Sequence, residues 1–177
     1  MKIFKFCLLP ILLLVVTVFV VGFFCPESWN VEVSTSIEAA PAEIHPWVDD
    51  LKRWEEWAVW AEGDKRFEFT YAGQPHGVGA IATSKGPGSN VRWEITASDP
   101  QKGVWFDELL EGTTPSKGAI MFEAQGAATK LTWVDRGSLG TSPLFRLANL
   151  VLQSALTKGF QRNLENLKAR VEGSTTP

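Results

Sequence analysis

From Phe6 to Phe24 the chain carries no charge: FCLLPILLLVVTVFVVGFF, 19 residues of nearly pure hydrocarbon. At about 1.5 Å per residue a helix of that length covers roughly 30 Å, the thickness of a bilayer core. The run predicts a membrane-spanning helix through residues 6–24, within an N-terminal unit of residues 1–25. A cleaved signal segment carries a shorter apolar core and ends at a small-x-small site. This run is longer and ends Gly22-Phe23-Phe24-Cys25, which favours an uncleaved anchor over a cleaved signal, with a buried soluble helix as the third reading. Phe24 before Cys25 also argues against a lipoprotein site. Lys2 and Lys5 flank one side, whereas the other side begins Pro26-Glu27 and has no Lys or Arg until Lys52. The expectation is a single-pass protein whose C-terminal domain lies on the non-cytoplasmic side.

Beyond the run the pattern changes to period two. Trp29–Ile37 sets Trp29, Val31 and Val33 on one face and predicts a strand. Ala39-Ala40-Pro41 breaks it and starts a short helix over Pro41–Asp50, with a second expected over Leu51–Trp60. Six more strands follow: Arg66–Tyr71, Val78–Ser84, Asn90–Ala97, Val104–Leu110, Ala119–Ala124 and Thr129–Val134. Their linkers are short and rich in Gly, Pro and Thr, which implies an antiparallel meander. Lys85-Gly86-Pro87-Gly88 and Gln125-Gly126-Ala127-Ala128 read as turns.

After the glycine-bearing loop Asp135–Thr141, Ser142-Pro143 marks a helix start, a hydroxyl cap followed by proline at the first position. The helix is expected to reach about Glu172. Phe160, Leu164, Leu167 and Val171 form a clean apolar stripe in its second half. Its first half is apolar over more of its circumference and is expected to touch more than one surface. Residues 26–172 therefore read as one domain, and 173–177 as a frayed tail.

Charge and cysteine content narrow the function. Setting aside Lys2 and Lys5 leaves 15 basic residues against 20 acidic ones, a balance near −5. That disfavours nucleic acid as a partner. Cys7 and Cys25 belong to the apolar unit, so the domain has no disulfide, thiolate metal site or cysteine nucleophile. Tryptophan is abundant, at 29, 47, 54, 57, 60, 93, 105 and 133. Core filling is the plain explanation; a roomy cavity walled by rings is the sharper one.

The order strand, two short helices, six antiparallel strands and long helix resembles the helix-grip fold of the START-like (SRPBCC) superfamily, and within it the polyketide cyclase/dehydrase-type proteins. The resemblance covers about Val31–Val171. It is carried by Ser36–Ile44 with Trp47 and Asp50, by Trp54-Glu55-Glu56-Trp57, by Tyr71-Ala72-Gly73 and Gly77-Val78-Gly79-Ala80, by Thr129–Trp133, and by Leu164–Lys168. It implies an α+β fold in which a curved antiparallel sheet wraps a long C-terminal helix, with a cavity between them for an apolar molecule. It implies no particular reaction, because the superfamily joins carriers, receptors and cyclases on one scaffold. No family catalytic set maps onto this sequence, and no cofactor is implied.

The expected cavity wall is Trp57, Phe69, Trp93, Phe106, Met121 and Trp133, facing Leu147, Val151 and Ala155 of the long helix. His76, in a glycine-flanked loop, is a candidate acid–base group. Its plain alternative is an exposed loop histidine. His45 lies on the short helix, and the two histidines lack metal-ligand spacing. Gly77–Ala82 matches a loose dinucleotide pattern, but strand chemistry follows where a helix is needed. Asp107 and Glu108 are adjacent on one strand, so alternation turns one inward unless a bulge or strand end frees both. An inward carboxyl in an apolar cavity resists ionisation and can act as an acid or hold a ligand hydroxyl. Asp135 and Arg136 read as a surface ion pair. A Ser84, His76, Asp107 triad can be drawn but has no support over other triples.

The leading expectation is a membrane-anchored protein that binds a hydrophobic small molecule or lipid and is not primarily an enzyme. The alternatives are a cyclase- or dehydratase-like enzyme using His76 or an inward carboxylate, and a partner-docking module with a collapsed cavity. Two titratable groups converging at the cavity favour the enzyme; an unbroken apolar lining favours binding.

Overall fold

The computed structural model describes residues 2–59, 67–86, 89–112 and 114–174. The chain forms helix α1 (Lys2–Phe24), strand β1 (Trp29–Ile37), helix α2 (Pro41–Asp49), a single 3-10 turn (Arg53–Glu56), strands β2 (Glu68–Gly73), β3 (Ala80–Gly86), β4 (Ser89–Asp99), β5 (Gly103–Leu110), β6 (Thr114–Gln125) and β7 (Ala128–Gly137), and helix α3 (Pro143–Ser174). All neighbouring strands run antiparallel, in the order β1-β7-β6-β5-β4-β3-β2. This is an α+β fold of the helix-grip kind: a meander whose first strand returns to pair with its last, with α3 packed against it.

Alternation decides which side chains meet the helix. On β7, Thr129, Leu131, Trp133 and Asp135 are buried; on β5, Val104, Phe106 and Glu108 lie on the matching face. The α3 stripe Phe160, Leu164, Leu167 and Val171 closes this core as the sequence predicts. At its centre the ring of Trp133 stacks on Phe160, with centroids 4.4 Å apart and planes 8° from parallel. Trp54, Trp57 and Phe106 meet Trp133 edge-on. Ser142 caps α3: its hydroxyl accepts the Phe145 N–H at 3.3 Å, with Pro143 in the first turn.

Three expectations change. The second short helix is only the 3-10 turn, because α3 satisfies that backbone from outside. Asn166 Nδ2 and Arg170 Nε donate to the carbonyls of Trp57 and Glu56, and Asn163 Oδ1 accepts the Val59 N–H. Trp60, Arg66, Pro87 and Gly88 lie outside the described residues, as does the end of the tail from Thr175. Strand β6 starts at Thr114 rather than Ala119. Its glycine is a packing device rather than a breaker: a Cβ on Gly118 would stand 2.1 Å from the Phe106 ring.

The third change concerns α1. The apolar run is helical, but among the described residues no helix is long and apolar enough to cross a membrane. One side of α1 lies against the start of α3, where Gly22 touches Pro143. Arg146 of α3 donates to the carbonyls of Phe23 and Cys25 and pairs with Glu27. Side chains elsewhere on α1, among them Leu13, Leu14 and Phe23, are more than half exposed. The first turns of α3 share that exposure through Leu144, Phe145, Leu150 and Val151.

Candidate functional site

Between the inner face of the sheet and the middle of α3 lies a chamber of about 220 Å³. Trp29, Phe67, Val91, Trp93 and Leu110 line the sheet side, and Leu152, Leu156 and Phe160 the helix side. Its polar groups are Ser84, Glu108, Ser116 and Asp135. The volume falls below the roughly 300–1,000 Å³ common for small-molecule sites. It exceeds the cavity of about 150 Å³ that accepts a benzene ring.

The two carboxyls reach the chamber through strand register. On β5 alternation turns Asp107 outward to an exposed ion pair with Lys117 at 3.1 Å, and turns Glu108 inward. On β7, Asp135 is two residues beyond Trp133 on the same inner face and only 1% exposed. Gly137 makes room for this arrangement. It pairs with Trp29 across the β1–β7 ladder, and a Cβ there would stand 2.2 Å from the Trp29 ring. The indole lies over the glycine, and its N–H donates to Asp135 Oδ1 at 2.5 Å.

Glu108 has its own donors. Trp93 Nε1 donates to Oε1 and Ser116 Oγ to Oε2, each at 2.9 Å. Burial pushes the Glu108 carboxyl well above the carboxylate range, the nearby Asp135 charge adds to the shift, and the Ser116 and Trp93 donors partly oppose it. Burial raises Asp135 too, against hydrogen bonds from Trp29 and Glu108. Asp135 Oδ2 is buried and meets no hydrogen-bond partner among the described residues. The two carboxyls share one place on the inner face, and burial makes it costly for both to be ionised at once. Such a pair can donate one proton, accept one, or hold a polar group while its lining binds hydrocarbon.

Of the expected wall, Trp93 lines the chamber. Trp57, Phe106 and Trp133 are fully buried in the core beside it, and Phe69 is half-buried on β2. Met121 falls on the outer face of the sheet with Trp105 and Val134, one residue out of phase with inward-facing Ile120 and Phe122. On α3 the expected face is turned away: Leu147 is half-buried, Ala155 is exposed and Val151 is 72% exposed. The wall instead continues the clean stripe backwards in steps of four, from Phe160 to Leu156 and Leu152. Asp135, Trp29 and Ser116 are further site residues that the sequence reading missed. Asp135 is no surface partner of Arg136, which donates to Asn30 instead. Alternation from Leu131 through Trp133 was the signal for it.

His76 stands apart from the chamber. It is exposed on the β2–β3 loop, with Nδ1 3.4 Å from Asp49 Oδ2. Ser84, His76 and Asp107 therefore occupy three places: the chamber, this loop and the outer sheet face. A different cluster gathers around Asp49, where His45 Nε2 lies 2.8 Å from Ser98 Oγ. The Ser98 hydroxyl donates its one proton to Asp49, so His45 must be the donor to Ser98. A histidine in that role is no base for the serine, and the cluster ties α2 to β4.

Residues 28–172 match the family model described as polyketide cyclase/dehydrase and lipid transport. The chain belongs to that family. No curated protein matches the chain in sequence. Among solved structures, TTHA0849 from Thermus thermophilus is similar with a TM-score of 0.62 and 19% identity, over 83% of this chain and 99% of that one. CV1439 from Chromobacterium violaceum gives 0.61 and 13%, over 81% and 97%. The Aha1 dimer from Colwellia psychrerythraea gives 0.53 and 16%, over 83% and 98%. Identities this low speak for the shared fold alone.

Proposed function

We propose that this domain binds an apolar small molecule in the chamber between sheet and C-terminal helix, with the Glu108–Asp135 pair gripping its polar group. One observation carries the reading: an apolar chamber onto whose wall two inward carboxyls converge, half-buried Glu108 and buried Asp135. The core beneath it is tightly packed, so this space is specific rather than general looseness. Its size suits a molecule of one or two rings, or a chain of similar bulk. A docking module with a collapsed cavity has no use for such a chamber. The test is titration of the full-length chain with 2-phenylethanol, a neutral apolar probe, followed by tryptophan emission and calorimetry. Binding near one to one is expected. Leu156→Trp should abolish it while lowering stability by no more than about 1–3 kcal/mol, and His76→Ala should leave it unchanged. No binding by the folded protein would overturn the reading.

The lining is not unbroken hydrocarbon, and that favours a second reading. Two convergent carboxyls can supply the acid and the base that dehydration of a β-hydroxy carbonyl compound uses. Glu108 would protonate the leaving hydroxyl, which departs as water, and Asp135 would take the proton from the α-carbon. Under this reading Glu108→Gln abolishes turnover of such a substrate while binding persists.

Anchoring is proposed separately. The charge-free run of residues 6–24 and the exposed apolar side chains of α1 support a membrane attachment with the domain outside the cytoplasm. A reporter active only outside the cytoplasm, fused after Pro177, should be active. A silent but expressed fusion would overturn the orientation.

A further inference from the structure

We propose that the chamber selects a cationic amine: an apolar molecule of one- or two-ring size whose ammonium group seats against Glu108 and Asp135. The inference rests on the binding reading above and adds the chemistry of the head group. It follows from an imbalance of donors and acceptors. The chamber's N–H and O–H donors are largely committed, since the indoles of Trp29 and Trp93 and the hydroxyl of Ser116 already serve the two carboxyls. No Lys, Arg or His lines the chamber among the described residues. Asp135, 1% exposed, keeps Oδ2 without an N–H or hydroxyl donor among the described residues.

Three kinds of head group fare differently in such a place. A carboxylate would meet a like charge, with no cation to offset it and few free donors. A neutral alcohol gives one hydrogen bond and loses its water. An ammonium brings three donors and a compensating charge, and charge-assisted bonds are roughly twice as strong as neutral ones. Burying an ammonium carries a heavy desolvation penalty unless a counter-charge is already in place. Here the counter-charge is built into the fold, held by β5 and β7 and oriented by two indoles.

The test compares three probes of similar bulk at pH 7: 2-phenylethylamine, which is cationic there, 2-phenylethanol and 3-phenylpropanoate. The full-length chain is held in nanodiscs of zwitterionic lipid, with empty nanodiscs as the blank. The amine should bind at least tenfold tighter than the alcohol, and the alcohol at least tenfold tighter than the carboxylate. In the double variant Glu108→Gln, Asp135→Asn the amine-to-alcohol ratio should fall to within about threefold of one. The wild-type ranking stands as the deciding measurement if that variant does not fold. An amine no tighter than the alcohol, or a carboxylate that equals the amine, overturns the head-group assignment and leaves the binding reading intact. If none of the three binds, both fall together.

Discussion

Trp133→Ala is expected to lower the stability of the domain by about 3–5 kcal/mol, the range for emptying the site of a large buried aromatic ring. Whole domains are stable by only about 5–15 kcal/mol, so this one change removes a large share. Trp133 is fully buried, stacks on Phe160 of α3 and meets Trp54, Trp57 and Phe106 at its edges. It joins the sheet, the 3-10 segment and the long helix at one point, and no neighbour can collapse into the gap without breaking a ring contact of its own. Phe160 lines the chamber, so loss of its stacking partner should also loosen the chamber wall. Denaturant melts of the full-length chain read the effect. Val151→Asp is the contrast: at 72% exposure its charge stays in water, and a change within about 0.5 kcal/mol is expected. A similar loss in both variants would mean that α3 is rotated about its axis from this placement.

That contrast shows where sequence patterns stop being sufficient. The strands of the meander, the C-terminal helix and its clean stripe were legible because alternation and four-residue spacing are strict. The early part of α3 was not, because leucines and valines occupy almost every face there. A helix apolar all round has no phase to read, and only the continuation of the downstream stripe through Leu156 and Leu152 gives one. Met121 failed for the opposite reason. β6 alternates, but Ala119 and Met121 on its outer face are as apolar as Ile120 and Phe122 on its inner face. The 3-10 turn lay beyond local reasoning altogether, since side chains more than 100 residues away satisfy its backbone.

The site was half visible. Adjacent acids on β5 force one inward, and the structure turns Glu108 in and Asp107 out. The same rule applied to β7 reaches Asp135, but an Asp-Arg pair at a strand end looks like surface chemistry. What makes Asp135 interior is a distant residue: Trp29, lying on Gly137 across the ladder, supplies the donor that lets a carboxylate be buried. Pairing between chain ends cannot be read from either end alone.

Glu108→Gln should raise the melting midpoint by several degrees at pH 8 and leave it almost unchanged near pH 4. The sign follows from linkage. In the unfolded chain Glu108 releases its proton near its ordinary value of 4.5; in the fold, burial and the Asp135 charge hold that proton to much higher pH. Between those two points the folded state binds one more proton than the unfolded state, so the Glu108 contribution to stability falls as pH rises. Below about pH 4.5 both states are protonated and the penalty is absent. Above the folded value it is present in full. Asp135 is raised as well and pulls in the same direction. Glutamine keeps the shape: its carbonyl can accept from Trp93, its amide can donate toward Asp135, and the Ser116 hydroxyl can turn from donor to acceptor. Thermal melts of both proteins between pH 4 and pH 8 give the difference directly. A gap that widens with pH is the expected result, whereas parallel curves would show that Glu108 ionises normally and is solvated in the fold. The penalty also bears on function. A protein that keeps two carboxyls together in an apolar chamber is destabilised by them when empty, and a bound ligand that supplies a proton or a positive charge relieves that destabilisation. The wild type should then gain more from such a ligand as pH rises, while Glu108→Gln should gain less.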